Sequence, residues 1–342
     1  MKDLGRRTLS GFLLLSAMVV FSTPAFAQMD LVGEWNNLFH EDQPERLGGP
    51  DVGDYAGLPI NDAARMAADS WNADILSVPE HQCKPHPADY SPRGPAMVQI
   101  WKEVDPSSRQ LVALRTHISW QAPERWIYMD GRPHPDEFAA HTWQGFSTGE
   151  WQGQVLKVTT THLKKGWIRR NGLPRSDQAE LTEYFWRHGD FLTWTVIIND
   201  PIYLTEPMVR SSDFRWAPGQ QVGNYPCQIV TELDHDQGWV PHWLPGENPN
   251  LELYSKTHDV IQEAARGGAA TMLPEARKKV AAAQAWPPPV QAPPPGGGGG
   301  GRGGGGAGPG GGGRGGGGAP AQPPGQRGAG GALPAAPAGR GQ

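Results

Sequence analysis

Apolar and polar residues alternate from residue 96 onward with the two-residue period of β-strands. Turn-forming residues separate the segments, and no long helical pattern lies between residues 96 and 199. Short connections without helices favour antiparallel hairpins. With two further candidate strands, 32–35 and 208–216, the number of predicted strands is about eight. This is the number at which an up-and-down barrel closes around a small cavity. The predicted strands are 32–35, 96–104, 110–118, 125–130, 154–163, 179–188, 191–199 and 208–216.

Helical and loop-like segments flank the predicted barrel. Residues 40–90 are rich in Pro, Gly and Asp and indicate a long loop insertion, interrupted by one helix over residues 61–71. Asn61 or Asp62 can cap this helix, and four alanines favour it. Residues 251–266 and 274–285 are predicted to form helices outside the barrel.

The N-terminus has the three parts of a cleavable signal peptide in order. Lys2, Arg6 and Arg7 are followed by the apolar stretch 11–21 and the small residues of Ala25-Phe26-Ala27. An uncleaved membrane anchor is the alternative, but the apolar stretch is short for a membrane span. We therefore expect 1–27 to be removed and the mature chain to be periplasmic or secreted.

The C-terminal segment, residues 287–342, consists mainly of Gly and Pro with four arginines and no acidic residue. Such a composition cannot bury enough apolar surface to fold, so a disordered tail is expected. Acidic residues are concentrated in the body, residues 28–286, which argues against nucleic acid as a partner. A spacer, or weak contact with the envelope or cell wall, is the favoured interpretation of the tail.

Two cysteines, Cys83 and Cys227, lie far apart in the sequence. In an oxidising compartment a single disulfide between them is the expected arrangement. Two independent buried thiols are the alternative, because spacing alone does not show that the side chains meet.

Long blocks of the chain resemble a large group of uncharacterised exported proteins of proteobacteria and acidobacteria. The resemblance covers roughly residues 30–216, and it implies no activity. The blocks are Gly48 to Trp71, Pro79 to His86, Ile127 to Pro135, His141 to Thr161 and Trp167 to Gln178.

A second resemblance rests on Gly33-Glu34-Trp35 at the start of the first strand. This motif is similar to the Gly-x-Trp signature of lipocalins and the wider calycin group, in which the Trp closes one end of the barrel. The expected fold is therefore mainly β, an antiparallel up-and-down barrel of the lipocalin/calycin type. The insertion at 40–90 departs from a plain lipocalin and leaves the ligand preference open.

Alternation places several polar residues on shared strand faces. Arg115 and His117 share one face, His162 belongs to a second strand, and Glu183 and Arg187 share a face of a third. Along each strand the residues of this face change from apolar to polar, so the polar side chains could gather at one mouth of the barrel. Alternatively they form the solvated face, since charged side chains are seldom buried without a partner.

The chain lacks a Gly-x-Ser-x-Gly elbow, a Walker loop, a dinucleotide fingerprint and a His-Glu-x-x-His motif, and no cofactor is expected. The histidines His40, His81, His86 and His141 lack the spacing of a zinc helix, so no metal site is predicted. A metal site assembled from separate loops is the alternative to histidines that bond the backbone of the loop layer. Residues 169–172, Arg-Arg-Asn-Gly, are predicted to form an exposed turn.

Three functions are compatible with the sequence. The first is a protein that holds a small apolar or aromatic molecule in a barrel cavity. The second is a cofactor-independent lyase or isomerase. The third is a structural envelope protein whose barrel is filled by its own side chains. Candidate catalytic residues are His117, His162, Glu183 and Arg187; candidate ligand-binding residues are Trp35, Arg115, His117, His141, Trp143 and His162.

Overall fold

The computed structural model describes residues 29–38, 50–93, 97–231, 234, 236 and 238–283. The chain divides into two units, Met1–Pro287 and Pro288–Gln342, and every described residue belongs to the first. The predicted signal peptide and the expected disordered tail lie outside the described residues, as does His40.

Nine strands close into a barrel in the described part of the chain. Going around the barrel, the order is β1, β11, β10, β9, β6, β5, β4, β3, β2 and back to β1. A separate two-stranded sheet pairs β7 with β8. The strands are β1 Gly33–Asn37, β2 Val98–Val104, β3 Leu111–Ile118, β4 Glu124–Tyr128, β5 Phe146–Gln152, β6 Val155–Thr161, β7 Gly166–Trp167, β8 Pro174–Arg175, β9 Glu180–His188, β10 Phe191–Asn199 and β11 Met208–Trp216.

The barrel is closed and mainly β, as predicted, but it is not purely antiparallel. Strands β4 and β5 are parallel, whereas the other neighbouring strands are antiparallel. A ring with an odd number of strands cannot alternate direction throughout, so one parallel pair is required. The connection over residues 129–145 is long enough for the chain to return to the level at which β4 began, as a parallel crossover requires.

The strand directions define two ends of the barrel. The loop end contains the last residue of β3, Ile118, and the last residue of β6, Thr161. The Trp35 end contains the last residues of β9 and β11, His188 and Trp216. At the Trp35 end the rings of Trp35 and Trp216 meet edge to face with centroids 5.0 Å apart. Trp35 is fully buried.

Side chains fill the interior of the barrel. Every barrel strand except β5 contributes buried apolar residues to this core, and the rings of Phe185 and Trp194 pack with centroids 4.5 Å apart. At the centre, Arg125 forms a buried ion pair with Glu183. The two cavities described below are lined mainly by residues of connecting segments.

Four α-helices lie outside the barrel strands in the described part of the chain. The helix predicted over residues 61–71 is observed as α1, and Asn61 caps it by accepting a hydrogen bond of 3.0 Å from the Ala64 N–H. The single helix predicted over 251–266 is instead two, because Asp259 adopts a left-handed conformation with φ 52°. The bounds are α1 Asp62–Asp69, α2 Leu253–His258, α3 Gln262–Arg266 and α4 Pro274–Ala283.

A disulfide joins Cys83 to Cys227, which confirms the expected pairing. The side chain of Gln82 reinforces it through two hydrogen bonds of 2.8 Å, one to the carbonyl and one from the N–H of Val230. Segment 217–231 is thereby tied to the long insertion. None of the helices in the described ranges has the length and apolar character that a membrane span requires.

Candidate functional site

Two neighbouring cavities lie over the loop end of the barrel. Segment 50–93 and the connection between β6 and β9 contribute to both cavities. The β3–β4 turn and the β4–β5 connection contribute to the first, whereas β11 and Tyr254 contribute to the second. These segments meet at one end because β3 and β6 run in the same direction and β5 begins where β6 ends. The long insertion thus forms the outer wall of both cavities.

The first cavity, which we call the aromatic cavity, has a volume of about 180 Å³. Most of its lining surface is apolar. Its rings come from four different connecting segments, so the sequence separates residues that the fold brings together. The aromatic side chains that line it are Trp71, His81, His86, Tyr90, Trp120, Trp143 and Trp167.

The rings of the aromatic cavity support one another through edge contacts. Trp71 and Trp167 meet edge to face with centroids 5.2 Å apart, and His86 meets Trp120 in the same way at 4.5 Å. His86 also packs against Tyr90 at 5.0 Å. Such edge-to-face pairs hold ring orientations and stabilise the wall of the cavity.

His86 is the polar group of this wall. Its Nε2 is buried and has no hydrogen-bond partner among the described residues. Burial, with a smaller contribution from the charge of Arg170, lowers the pKa of His86 to about 4. The imidazole is therefore neutral near pH 7, and its unpaired nitrogen can donate to or accept from a bound molecule, depending on the tautomer.

Cations surround the aromatic rim. The Nζ atoms of Lys84 and Lys164 lie 5.4 Å and 5.5 Å from the ring centroid of Trp143. The guanidinium carbon of Arg170 lies 5.9 Å from the Trp120 ring. Partial burial and the charge of Lys164 lower the pKa of Lys84. These three cations give the rim of the aromatic cavity a positive charge.

The second cavity, which we call the arginine cavity, has a volume of about 300 Å³. Tyr90, Arg169 and Arg170 line both cavities, so the two adjoin along this shared wall. The other charged residues lining the arginine cavity are Asp54, Arg93 and Arg210.

The turn over residues 169–172 positions the shared wall, and the prediction that it is exposed was wrong. Arg169 is buried; it donates to the Asp54 carbonyl at 3.1 Å and to Asp54 Oδ2 at 3.2 Å. Asn171 donates to the carbonyls of Asp51 and Asp54. Gly172 has φ 88°, and a Cβ there would lie 2.4 Å from the Trp71 Cβ. The insertion therefore covers this turn.

Arg187 and Trp35 meet at the opposite end of the barrel. The Arg187 guanidinium lies over the rings of Trp35 and Trp216, at 5.2 Å and 4.7 Å from their centroids. Strand β9 runs opposite to β6, so its last residues lie far from the end at which His162 lies. The expectation that the polar residues gather at one mouth therefore does not hold for Arg187.

Glu183 lies inside the barrel with both carboxylate oxygens bonded. Oε1 accepts from Arg125 Nη1 at 2.9 Å and from Trp194 Nε1 at 3.0 Å. Oε2 accepts from Arg125 Nη2 and from the Thr160 hydroxyl. The carboxylate is saturated by protein donors, which suits a structural role in the interior.

Arg115 and His117 lie on the outer face of β3, since their neighbours Leu114 and Ile118 pack into the core. Arg115 lies between the rings of Trp101 and Trp126, with its guanidinium 4.9 Å and 4.5 Å from their centroids. His117 is covered by segment 217–231, with Nε2 3.4 Å from the Gly223 carbonyl oxygen. For this strand, the polar residues belong to the outer face rather than to a barrel mouth.

Two other candidate histidines lie beside the loop end. His162 has φ 57°, which breaks the alternation of β6, and its Nε2 is 2.7 Å from the Asp136 carbonyl oxygen. His141 Nδ1 is 2.9 Å from the Leu163 carbonyl oxygen, and the two imidazoles lie 5.3 Å apart. Trp143 lies two residues after His141. Among the candidate ligand-binding residues, it is Trp143 that lines the aromatic cavity.

Most residues of the two cavities were not candidates from the sequence. Trp71, Trp120, Trp167 and Arg210 were not singled out, and His86 was named only as one of several loop histidines. The available signal was the density of Trp outside the barrel strands, because a large apolar ring in a connecting segment must pack against something. In the part of the chain that the structure describes, no group of three His, Cys, Asp or Glu side chains could hold a metal ion.

No protein-family model and no curated protein matches the chain. Among solved structures, the chain is similar to the wild-type fluorescent protein UnaG, with 10% identity over 55% of this chain and 97% of that chain, and a TM-score of 0.24. It is also similar to a mutant of UnaG, with 12% identity over 55% of this chain and 96% of that chain, and a TM-score of 0.25.

Proposed function

We propose that this protein is an exported binding protein for a small aromatic molecule, with a barrel of the lipocalin/calycin type as its scaffold. The aromatic cavity at the loop end carries the proposal. It combines a mainly apolar aromatic wall with one unpaired buried nitrogen, that of His86. Ligand sites in proteins typically combine an apolar lining with a few placed polar groups.

The size of the cavity limits the ligand. Its volume of about 180 Å³ is close to that of an engineered apolar cavity of roughly 150 Å³ that binds benzene. A molecule with one aromatic ring therefore suits the space. The packed barrel interior directs the proposal to the loop end rather than to the centre of the barrel.

The proposed location is the periplasm or the extracellular medium. The Cys83–Cys227 disulfide supports this part of the proposal, because disulfides persist mainly in oxidising compartments. We also propose that the chain belongs to the group of exported proteins that its sequence resembles.

The alternative of an acid–base enzyme needs its candidate groups in one place. Glu183 is saturated inside the barrel, and Arg187 is at the end opposite His162. Binding is therefore the better supported function.

Binding of benzamide, a neutral single-ring probe, tests the proposal. Wild-type protein should bind benzamide in isothermal titration calorimetry, and Trp143→Ala should raise the Kd about tenfold by removing aromatic contact worth roughly 1.4 kcal/mol. Trp186→Ala is the matched control, because Trp186 is half exposed on the outside of β9. No binding to wild type, or equal loss in both variants, would overturn the proposal.

A further inference from the structure

The arginine cavity is an unusual concentration of positive charge in an acidic protein. Four arginines line it, Arg93, Arg169, Arg170 and Arg210, against one carboxylate, that of Asp54. The whole chain has a formal net charge of −5. Guanidinium groups repel one another in a cavity of low dielectric constant, and an anion between them would relieve that repulsion.

Arg210, on β11, forms the buried side of this cavity. Its side chain is 9% exposed, and Nη1 donates to the Ile168 carbonyl at 2.8 Å. Nε and Nη2 are buried and have no hydrogen-bond partner in the described structure. A buried donor without an acceptor costs roughly 1–3 kcal/mol, and more when it is charged.

Nearby protein groups do not satisfy these two nitrogens. Asp89, whose charge acts on Arg210, is engaged through Oδ1 with Arg175 Nε at 3.0 Å, and its Oδ2 accepts no hydrogen bond from the described residues. Burial lowers the pKa of Arg210 to about 10, so it remains a cation at neutral pH. The side chain thus offers positive charge and free donors beside a cavity of about 300 Å³.

We propose that the arginine cavity binds the carboxylate of the same ligand whose ring occupies the aromatic cavity, so that the ligand class is small aromatic carboxylates. Three residues line both cavities, and a guanidinium fork matches the planar geometry of a carboxylate. This inference rests on the proposed function and narrows its ligand class.

Benzoate and benzamide provide the test, because they share a ring and a similar shape but only benzoate is charged. Wild-type protein should bind benzoate at least tenfold more tightly than benzamide in isothermal titration calorimetry. Equal affinity for the two probes would overturn the proposal, and so would weaker binding of benzoate.

Arg210→Met tests the assignment to this cavity. The variant should bind benzoate more weakly and reduce the preference for benzoate over benzamide to less than threefold. Arg215→Met is the matched control, because Arg215 is an exposed residue of the same strand near the Trp35 end, and it should keep the wild-type preference. Arg93→Met carries the test if circular dichroism shows that Arg210→Met does not fold. An unchanged preference in the folded variants would contradict the proposal.

Acetate and inorganic phosphate separate this proposal from the proposed function. If benzamide binds but benzoate has no advantage, the anion site fails and the aromatic site stands. If neither ring binds but acetate stabilises wild type more than Arg210→Met, the cavity takes small anions and the aromatic-carboxylate class is wrong. Tighter binding of phosphate than of benzoate would likewise overturn the choice of carboxylate.

Discussion

His86 is the single residue at which the aromatic cavity depends most directly on pH. Its pKa falls from the ordinary 6.5 to about 4 in the folded protein, because burial disfavours the charged ring. Between these two values the unfolded chain takes up a proton that the folded chain does not. Stability is therefore fully present above pH 6.5 and decreases as the pH falls toward 4, by about 3 kcal/mol in total.

We predict that His86→Gln removes this component of the pH dependence. Urea unfolding at pH 7 and at pH 4.5 should show a smaller loss of unfolding free energy in the variant than in wild type. His258→Gln, at an exposed histidine, is the control and should retain the wild-type loss. Identical pH dependence in wild type and His86→Gln would show that the lowered pKa of His86 is not linked to stability.

At the residue scale, the sequence identified residues with suitable chemistry more reliably than it located them in the fold. Trp143 was a candidate ligand residue and lines the aromatic cavity. Arg115 was also a candidate, but it lies between two tryptophans on the outer face. Strand alternation shows which residues share a face, but the choice between interior and exterior depends on the other strands. Arg210 had no sequence signal, because its importance comes from its unpaired buried donors.

The elements were predicted well where alternation was strong. Strands β10 and β11 have the predicted bounds, and helix α1 lies within its predicted range. Strand β5, which contains Gly149, was not among the predicted strands. In the structure the packing leaves no space for a side chain at Gly149, since a Cβ there would lie 2.6 Å from the Met129 sulfur. A close approach between segments cannot be detected from either segment alone.

The Cys83–Cys227 disulfide is the covalent link between the long insertion and segment 217–231. It spans 144 residues of sequence, so it removes much of the chain entropy of the unfolded state. We predict that the double variant Cys83→Ser, Cys227→Ser loses about 4 kcal/mol of unfolding free energy.

Urea unfolding measures this loss, with Gln82→Ala as the control. That variant removes the two hydrogen bonds to Val230 and a third to the Ser77 carbonyl but keeps the covalent link, so it should lose about 2 kcal/mol. If the cysteine variant is no less stable than Gln82→Ala, the disulfide does not provide the expected stabilisation.

At the scale of the whole molecule, the Arg125–Glu183 pair connects much of the barrel wall. Its partners Ser147, Thr160 and Trp194 lie on β5, β6 and β10. We predict that Glu183→Ala loses about 3–5 kcal/mol of unfolding free energy, because it leaves a buried guanidinium without its carboxylate.

A double variant separates this cause from simple loss of packing. Arg125→Met combined with Glu183→Leu removes both charges and should be more stable than Glu183→Ala in urea unfolding. The enzyme alternative predicts instead that Glu183 variants change turnover more than stability. A Glu183→Ala protein as stable as wild type would contradict a structural role for the pair.

The sequence by itself determined the strand periodicity, the capped helix, the candidate disulfide and the residue types available for binding, because these depend on local pattern and composition. Only the tertiary structure decided the parallel β4–β5 pair, the filled interior and the two cavities over the loop end. Those features depend on which distant segments meet. Ring closure with nine strands forces the parallel pair, and the aromatic cavity exists because four separate connecting segments meet at one end of the barrel.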